Sequence, residues 1–366
     1  MRIALIQDQL LSLAGSERVF LHMLEEFPEA DAFTLCYQPN QTWPGLMNHR
    51  IHTSFLNPLL KTHDRFKLAF PLATYVMQYW DFRRYDLIVT SSATTAKYIS
   101  RFRGKHVCYC YYPTRAIWEG ERYFGTADGA RVRVFKRLLP YLKSRDVSAA
   151  QRVDHFIAIS ESSRKAIQRY YRRDAEVLFA PIEFDAFAKC ASLEKEDFFL
   201  LVSRLEKWKL LEYAIEAFNS LGLPLRIVGK GEEEARLRAM ANDNVEFLGG
   251  VPDAELAALY AKARAVIFTP ELEYGLVPLE ANAAGTPVIA LGRGGVAETM
   301  IPIGGTRSVP PTAVFFDEPN ADSLSRAVKL FEECHFDRAA LVAHAKKFSP
   351  AHFRQRLREI VKRAAV

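Results

Sequence analysis

Short apolar runs recur along this chain, and most are followed by a stretch whose apolar positions repeat at helical spacing. The runs Ile3–Ile6, Ala32–Leu35, Leu87–Thr90, His106–Tyr111 and His155–Ile159 predict strands, with helical patterns at Ser16–Glu26, Ala93–Ser100 and Ser162–Tyr171. A second series opens at Phe198–Val202 and continues with Leu225–Val228, Val245–Leu248, Ala265–Phe268, Val288–Ala290 and Ala313–Phe316. Its helical patterns are Leu210–Leu221, Glu232–Ala241, Asp253–Lys262 and Pro278–Ala284. Strands alternating with helices argue an α/β chain of parallel sheets covered by helices on both faces. Two such series imply two similar domains. The pattern breaks between Pro181 and Lys195, which sets the expected domains at 1–187 and 188–345. A basic helical segment, Pro350 to Ala365, closes the chain.

Composition agrees with this picture. A length of 366 residues suits two domains, and 49% hydrophobic with 25% charged residues is globular. No apolar run reaches the roughly 18 residues of a membrane span, and the nearest, Leu68 to Met77, is broken by Pro71. Met1-Arg2 leads straight into a strand, so no secretory leader is expected. Five scattered cysteines, 36, 108, 110, 190 and 334, do not make a disulfide framework and favour the cytoplasm. Cys108 and Cys110 read as core thiols on one face of a strand. The His49-x-x-His52 pair lacks further ligands, so no metal is expected.

The formal charge of +6 is uneven: residues 1–187 carry +7 and the remainder −1. The densest part is Arg131, Arg133, Lys136, Arg137, Lys143 and Arg145, interleaved with apolar residues and free of acids. Such a segment suits an anionic membrane surface or an acidic acceptor; a merely solvated basic helix face reads equally well. Nucleic acid is not expected, because no recognition motif accompanies the charge.

Two patches in the second series read as one phosphate-handling site. Arg204 and Lys209 follow the apolar run Phe198–Val202, and a fixed Arg–Lys pair suits a diphosphate. The stretch Glu271-Leu272-Glu273-Tyr274-Gly275-Leu276-Val277-Pro278-Leu279-Glu280 is a loop feeding a helix. The amides of Gly275, Leu276 and Val277 then point at an anion with the helix dipole behind them. Carboxylates beside a phosphate site hold hydroxyls, which implies a phosphorylated sugar or nucleoside.

These motifs, followed by Ala284-Gly285-Thr286-Pro287-Val288-Ile289 and Gly294-Gly295-Val296-Ala297-Glu298, resemble the retaining glycosyltransferases of family 4. Val228-Gly229-Lys230-Gly231-Glu232-Glu233 resembles the family's Val-Gly-x-Gly-x-Glu stretch and brings Gly229 into the donor site. The resemblance implies the GT-B fold: two Rossmann-like domains whose parallel sheets face each other across a cleft, with residues 346–366 packing back on the first. It further implies an acceptor-binding first domain and a nucleotide-sugar-binding second one. The family's first Glu lies eight positions before the second, where this chain has Leu272, so Glu271 and Glu273 compete for that role. A one-residue deletion in the loop favours Glu273. The resemblance assigns Arg204, Lys209 and Glu273 to catalysis and Glu280 to the ribose.

In the first domain, the turn from Gln7 through Asp8, Gly15 and Ser16 resembles the family's glycine-rich loop facing the donor, with Ser16 also a candidate cap of the next helix. Cys108-Tyr109-Cys110-Tyr111-Tyr112-Pro113-Thr114-Arg115 resembles a family stretch with His where Tyr111 stands and Thr where Tyr112 stands. A phenol with a reference pKa near ~10 is a poor base, so Tyr111 is expected to position sugar or acceptor. Arg115 is a candidate for an acceptor phosphate or for an ion pair. Ser160 is a candidate cleft residue or helix cap. The subgroup resembled is that of bacterial mannosyltransferases of O-antigen and exopolysaccharide assembly. That implies GDP-mannose as donor, with a UDP-hexose as runner-up, no cofactor or metal, and a lipid-linked or polysaccharide acceptor. It also implies a place at the inner face of the cytoplasmic membrane. A catalytically silent sugar-nucleotide-binding partner is the competing reading.

Overall fold

The near-continuous apolar runs become strands buried on both faces, as a parallel sheet requires. A computed structural model describes residues 1–120, 130–305 and 309–365. They fall into two units, Met1–Ala180 with Phe353–Val366, and Pro181–His352.

The first unit holds β1 Ile3–Gln7, β2 Asp31–Thr34, β3 Ile51–Thr53, β4 Leu87–Ser92, β5 Lys105–Cys110, β6 His155–Ala158 and β7 Ala175–Val177. They form one sheet in the order β3-β2-β1-β4-β5-β6-β7, with every pair parallel. Its helices are α1 Gly15–Glu26, α2 His63–Leu68, α3 Phe70–Tyr79, α4 Arg115–Trp118, α5 Ala130–Ala150 and α6 Glu161–Tyr171. The second unit holds β8 Phe199–Val202, β9 Leu225–Val228, β10 Val245–Gly249, β11 Val266–Phe268, β12 Val288–Leu291 and β13 Ala313–Phe316. This sheet runs β10-β9-β8-β11-β12-β13, again parallel throughout. Helices α7 Phe184–Ala188, α8 Leu211–Leu221, α9 Glu234–Met240, α10 Asp253–Lys262, α11 Leu276–Ala283, α12 Gly295–Thr299, α13 Ala321–Glu332 and α14 Arg338–Lys346 surround it. Side-chain alternation divides its core: Phe199, Leu201, Ile289 and Leu291 pack on one face, and Leu200, Val288 and Ala290 on the other.

The last helix, α15 Pro350–Ala364, buries Phe353, Leu357, Ile360 and Val361. Phe353 meets the buried Tyr109 of β5 edge-on at 5.8 Å, and Arg356 reaches Glu176 of β7 at 3.2 Å. The basic face of this helix is therefore spent partly on carboxylates of the first unit.

Two features depart from the sequence pattern. The edge strands β3 and β7 lack an apolar run, because edge positions are only partly covered. The expected helix Ala93–Ser100 is instead a single 3₁₀ turn, Ala96–Tyr98. The carboxylate of Asp8, at the end of β1, takes the amides of Ala93 and Thr94 on one oxygen (2.6 and 2.8 Å) and those of Thr95 and Ala96 on the other (2.7 and 2.5 Å). A buried carboxylate with four amide donors fixes the turn that carries them.

A second buried charge lies below that turn. Lys97 and Asp146 are both fully buried and 3.1 Å apart. Lys97 Nζ also donates to Thr94 O and Thr114 Oγ1, each at 2.8 Å. Asp146 accepts from the Tyr98 and Tyr171 hydroxyls and from Trp118 Nε1, all at 2.7 Å. Burial, then the charge of Asp146, pushes both phenols well above their ordinary range, so they remain donors. The network ties α5 to α4, α6 and the 93–98 turn.

Removing one partner of such a pair leaves an uncompensated buried charge, at a cost of about 3–5 kcal/mol. Asp146→Asn is expected to destabilise the first unit by that amount in denaturant titration. Lys97→Met is expected to cost less, because three further donors still hold the carboxylate. Equal midpoints for both variants and the parent would show that the network does not hold the unit together.

Candidate functional site

In the second unit the strand order reverses between β8 and β11, since the chain leaves β8 toward β9 and β10 and returns to β11 on the other side. Loops leaving two such strands diverge and open a crevice at their carboxyl ends. Ser203–Leu210 follows β8 and Thr269–Gly275 follows β11, so both sequence patches arrive at this crevice.

The first loop is held by backbone. Ser203 N donates to Val228 O and Leu205 N to Lys230 O, each at 3.0 Å. Gly229 has φ +141°, and a Cβ there would lie 1.8 Å from Ser203 O. No larger residue permits that approach. Gly229 thus seats the Arg204 loop. Leu210 ends the loop in the left-handed region at φ 57°, a strain of roughly 1–2 kcal/mol for a residue with a Cβ. Such strain is found where surrounding structure overdetermines a functional loop.

Three side chains of this loop share one cluster. Arg204 is exposed and pairs with Glu206 at 2.9 Å. Lys209 Nζ stands 4.0 Å from the centre of the Trp208 ring, and the Arg204 guanidinium lies 5.8 Å from the same ring. The Lys209 carbonyl accepts from Thr269 Oγ1 at 2.7 Å, which joins the loop to the end of β11. Burial, reinforced by the charge of Arg204, pushes the Lys209 ammonium down to about 8, against the opposing pull of Glu206 and Glu273. The cation pair is therefore crowded and partly buried, with Glu206 and Glu273 as its neighbouring carboxylates.

In the second loop Glu271 points to solvent, whereas Glu273 is half-buried and acts on Lys209. Gly294, with φ +69°, lets the next βα turn press on this loop: a Cβ there would lie 2.3 Å from Leu272 O. Gly295 N then donates to Leu272 O at 2.7 Å. Helix α11 begins at Leu276 with Gly275 as N-cap, a residue that has no side chain to cap it. The amides of Leu276 and Val277 lie in the first turn and have no intrahelical acceptor. Glu280, one turn further, is buried and accepts from Tyr260 Oη at 3.0 Å. Burial, then the Glu280 charge, raises the phenols of Tyr260 and Tyr274 well above their usual range. Arg204, Lys209, Glu273 and the α11 terminus thus converge at one switch point, with Glu280 fixed behind them. Sequence reasoning had missed the parts played by Glu206, Trp208, Thr269 and Tyr260; Trp208 and Glu206 lie between the two cations and could have been found there.

The corresponding reversal in the first unit lies between β1 and β4. Here the crevice is closed from within, because Asp8 spans it to the 93–96 amides. Gly15 opens α1, and the N-cap is Ala14, not Ser16. Ser16 sits in the first turn with its hydroxyl on Glu17 at 2.7 Å, so it does not cap the helix. The Tyr111 hydroxyl bonds to Ser91 Oγ at 2.8 Å and donates to Ser16 O at 3.1 Å. Burial raises that phenol well above its ordinary value. Tyr112 donates to Glu119, and the exposed Arg115 lies over the Tyr112 ring at 5.1 Å. Ser160 is fully buried and caps α6 through Ser163 N at 3.1 Å. Asp8, Ser16, Tyr111 and Ser160 are thus each committed to hydrogen bonds within the first unit. Among the described residues, no cluster of three or more His, Cys, Asp or Glu is placed to hold a metal.

Residues 182–348 match the model of the family Glycosyl transferases group 1. The chain is 30% identical to D-rhamnosyltransferase WbpZ of Pseudomonas aeruginosa over 181 residues, 45% of this chain and 47% of that protein. This alignment spans about half the length of that relative. Identity to the human alpha-1,3/1,6-mannosyltransferase ALG2 is 24% over 339 residues, covering 81% of this chain and 77% of that one. For the O-antigen chain mannosyltransferase RfbU of Salmonella typhimurium it is 26% over 292 residues, 74% and 75% of the two chains. The crystal structure of Anabaena Alr3699/HepE in complex with UDP superposes with a TM-score of 0.72 at 18% identity, over 99% of this chain and 100% of that one. The fold is GT-B, and residues 182–348 of this chain match the Glycosyl transferases group 1 model.

Proposed function

We propose that this protein is a glycosyltransferase that moves a hexose from a nucleoside diphosphate sugar to a lipid-linked or polysaccharide acceptor, with retention at the anomeric carbon. The observation that carries this reading is the Arg204–Lys209 pair, crowded at a switch point beside the first turn of α11, whose N-cap is a glycine. A diphosphate suits an exposed guanidinium and an ammonium held together beside a helix N-terminus. Mannose from GDP-mannose is the leading donor, supported by two relatives that are mannosyltransferases. A UDP-hexose is the alternative, supported by the UDP in complex with Alr3699/HepE. Assembly of a bacterial surface glycan at the inner face of the cytoplasmic membrane follows from the same resemblance. No helix among the described residues is long and apolar enough to cross a membrane.

In this mechanism the bond from the anomeric carbon to the diphosphate oxygen breaks, and negative charge grows on the leaving group. Arg204, Lys209 and the amides of Leu276 and Val277 stabilise it, and such preorganised stabilisation is usually the largest single catalytic effect. The acceptor oxygen bonds to the same face of the sugar, and its proton passes to a donor phosphate oxygen. Glu273 holds sugar hydroxyls. Glu280, oriented by Tyr260, takes the ribose. No metal or cofactor enters the scheme.

Three outcomes test this reading. Arg204→Ala and Lys209→Ala should each weaken GDP and UDP binding by about 1.5–3 kcal/mol in calorimetry, the usual worth of a charge-assisted contact. Wild-type affinity in both variants would overturn the diphosphate site.

The ammonium of Lys209 is charged below about pH 8 and neutral above it. Nucleotide affinity should therefore fall as pH rises, by about tenfold between pH 7 and pH 9, with proton uptake on binding at the upper end. The same slope in Lys209→Ala would assign the titration elsewhere.

Tyr111→Phe removes a hydroxyl already engaged with Ser91 and Ser16. Transfer should persist with retained configuration, slowed by about tenfold, or ~1.4 kcal/mol of barrier. Nuclear magnetic resonance of the product reports the anomer. Complete loss of transfer with donor binding intact would instead give the phenol the proton chemistry, and absence of transfer in the parent protein would favour a silent sugar-nucleotide-binding partner.

A further inference from the structure

The first unit carries an apolar face that its own fold leaves uncovered. Leu72, Tyr75 and Tyr79 fall at spacings of three and four along α3, which is one helical stripe, and Leu68 ends α2 just before it. A stripe at that spacing normally faces a core. Here Leu68, Leu72 and Tyr79 are 59%, 51% and 58% exposed. The core-facing side of α3 is a separate set, Phe70, Ala73 and Met77.

Helix α5 lies alongside and extends this face. The Arg145 guanidinium stacks 3.6 Å from the Tyr75 ring centre and donates to Gln78 at 2.6 Å, and the Tyr75 and Tyr141 hydroxyls are hydrogen-bonded to each other. Leu138 and Tyr141 are exposed beside them. The basic segment read from the sequence is therefore not a uniform set of six cations. Arg145 is spent on packing, Lys143 lies 5.4 Å from the Trp118 ring centre, and the Arg131 side chain lies outside the described residues. Lys136 and Arg137 are exposed next to Leu138, and Arg65 and Lys67 flank the stripe on α2. Asp64 is the one acid in the sequence from 61 to 80, and none occurs from 130 to 145. At the end of the stripe, Tyr75, Tyr79 and Trp80 line a groove of about 440 Å³ with Phe55, which is 75% exposed.

We propose that the face made by α3 and α5 rests on an anionic lipid bilayer, with Leu68, Leu72 and Tyr79 at the acyl boundary and Lys136 and Arg137 at the headgroup phosphates. Exposed leucines beside tyrosines and cations are the composition of an interfacial surface: rings at headgroup depth, aliphatic tips below, cations on phosphate. The charge also selects among occupants. A second copy of the chain docking through the same patch would set the cations against themselves, because a two-fold interface is self-complementary. A bilayer supplies both the negative charge and the apolar depth.

The experiment uses the full chain without nucleotide, so its outcome is independent of the transfer reading. Sedimentation with vesicles of phosphatidylcholine alone and of phosphatidylcholine with phosphatidylglycerol, at low and high ionic strength, separates the contributions. The protein should sediment with anionic vesicles and much less with neutral ones. Lys136→Glu with Arg137→Glu should lower binding at least tenfold at low salt, since each cation near such a surface is worth roughly fivefold. Leu72→Ser with Tyr79→Ser should abolish the part that survives high salt. Circular dichroism melting confirms that each variant folds, and both pairs are exposed. Three results would overturn the proposal: no sedimentation with anionic vesicles, equal binding to neutral and anionic ones, or binding unchanged by both double variants. Sedimentation velocity gives a fourth. A dimer that Leu72→Ser with Tyr79→Ser turns into monomer, with vesicle binding unaffected, would assign the face to self-association.

Discussion

The reversal of strand order is the constraint on which the site depends. A parallel sheet that grows first to one side of β8 and then to the other leaves two loops that cannot cover each other. The candidate residues Arg204, Lys209 and Glu273 sit on those loops, and α11 begins where the second loop ends. The glycines serve the same end. Gly229 and Gly294 are spaces where the backbone of a neighbouring turn presses in, and that pressure holds the cation loop and the acidic loop at fixed height.

The two units meet the same topological problem in opposite ways. In the first, the crevice between β1 and β4 is bridged by Asp8, whose carboxylate uses four backbone amides. In the second, the crevice gathers Arg204 and Lys209 around the face of Trp208, and burial depresses the lysine. One crevice is electrostatically complete. The other leaves the Arg204 guanidinium exposed beside its lysine, and this asymmetry favours the second unit as the nucleotide-handling half in the function proposed above.

Much of this was legible in the sequence because it depends on local pattern. Central parallel strands such as β1, β4, β8 and β12 are apolar throughout, and a short apolar run between helical stretches has few other readings. The Arg204–Lys209 pair and the α11 terminus were visible for the same reason, since each lies within one loop. What stayed hidden depends on partners distant in the chain. Asp8 and its turn are more than eighty residues apart, so nothing near residue 93 announces that its amides are taken. Lys97 sat inside a segment that reads as a helix, and Asp146 directly follows the basic stretch that ends at Arg145. Tyr111 appeared as a replaced cleft residue, but its hydroxyl is engaged by Ser91 and Ser16. Charge counting alone gave Arg145 to the surface, and its aromatic neighbour took it away.

The Asp8 bridge also bears on competition between ligands. A carboxylate tethered to β1 is present at its four amides at an effective concentration that no dissolved anion approaches, and it cannot diffuse away. A phosphate arriving from solution would have to displace it and leave a buried charge without donors. The place in the first unit where its topology would otherwise invite an anion is thus already taken by the chain's own carboxylate.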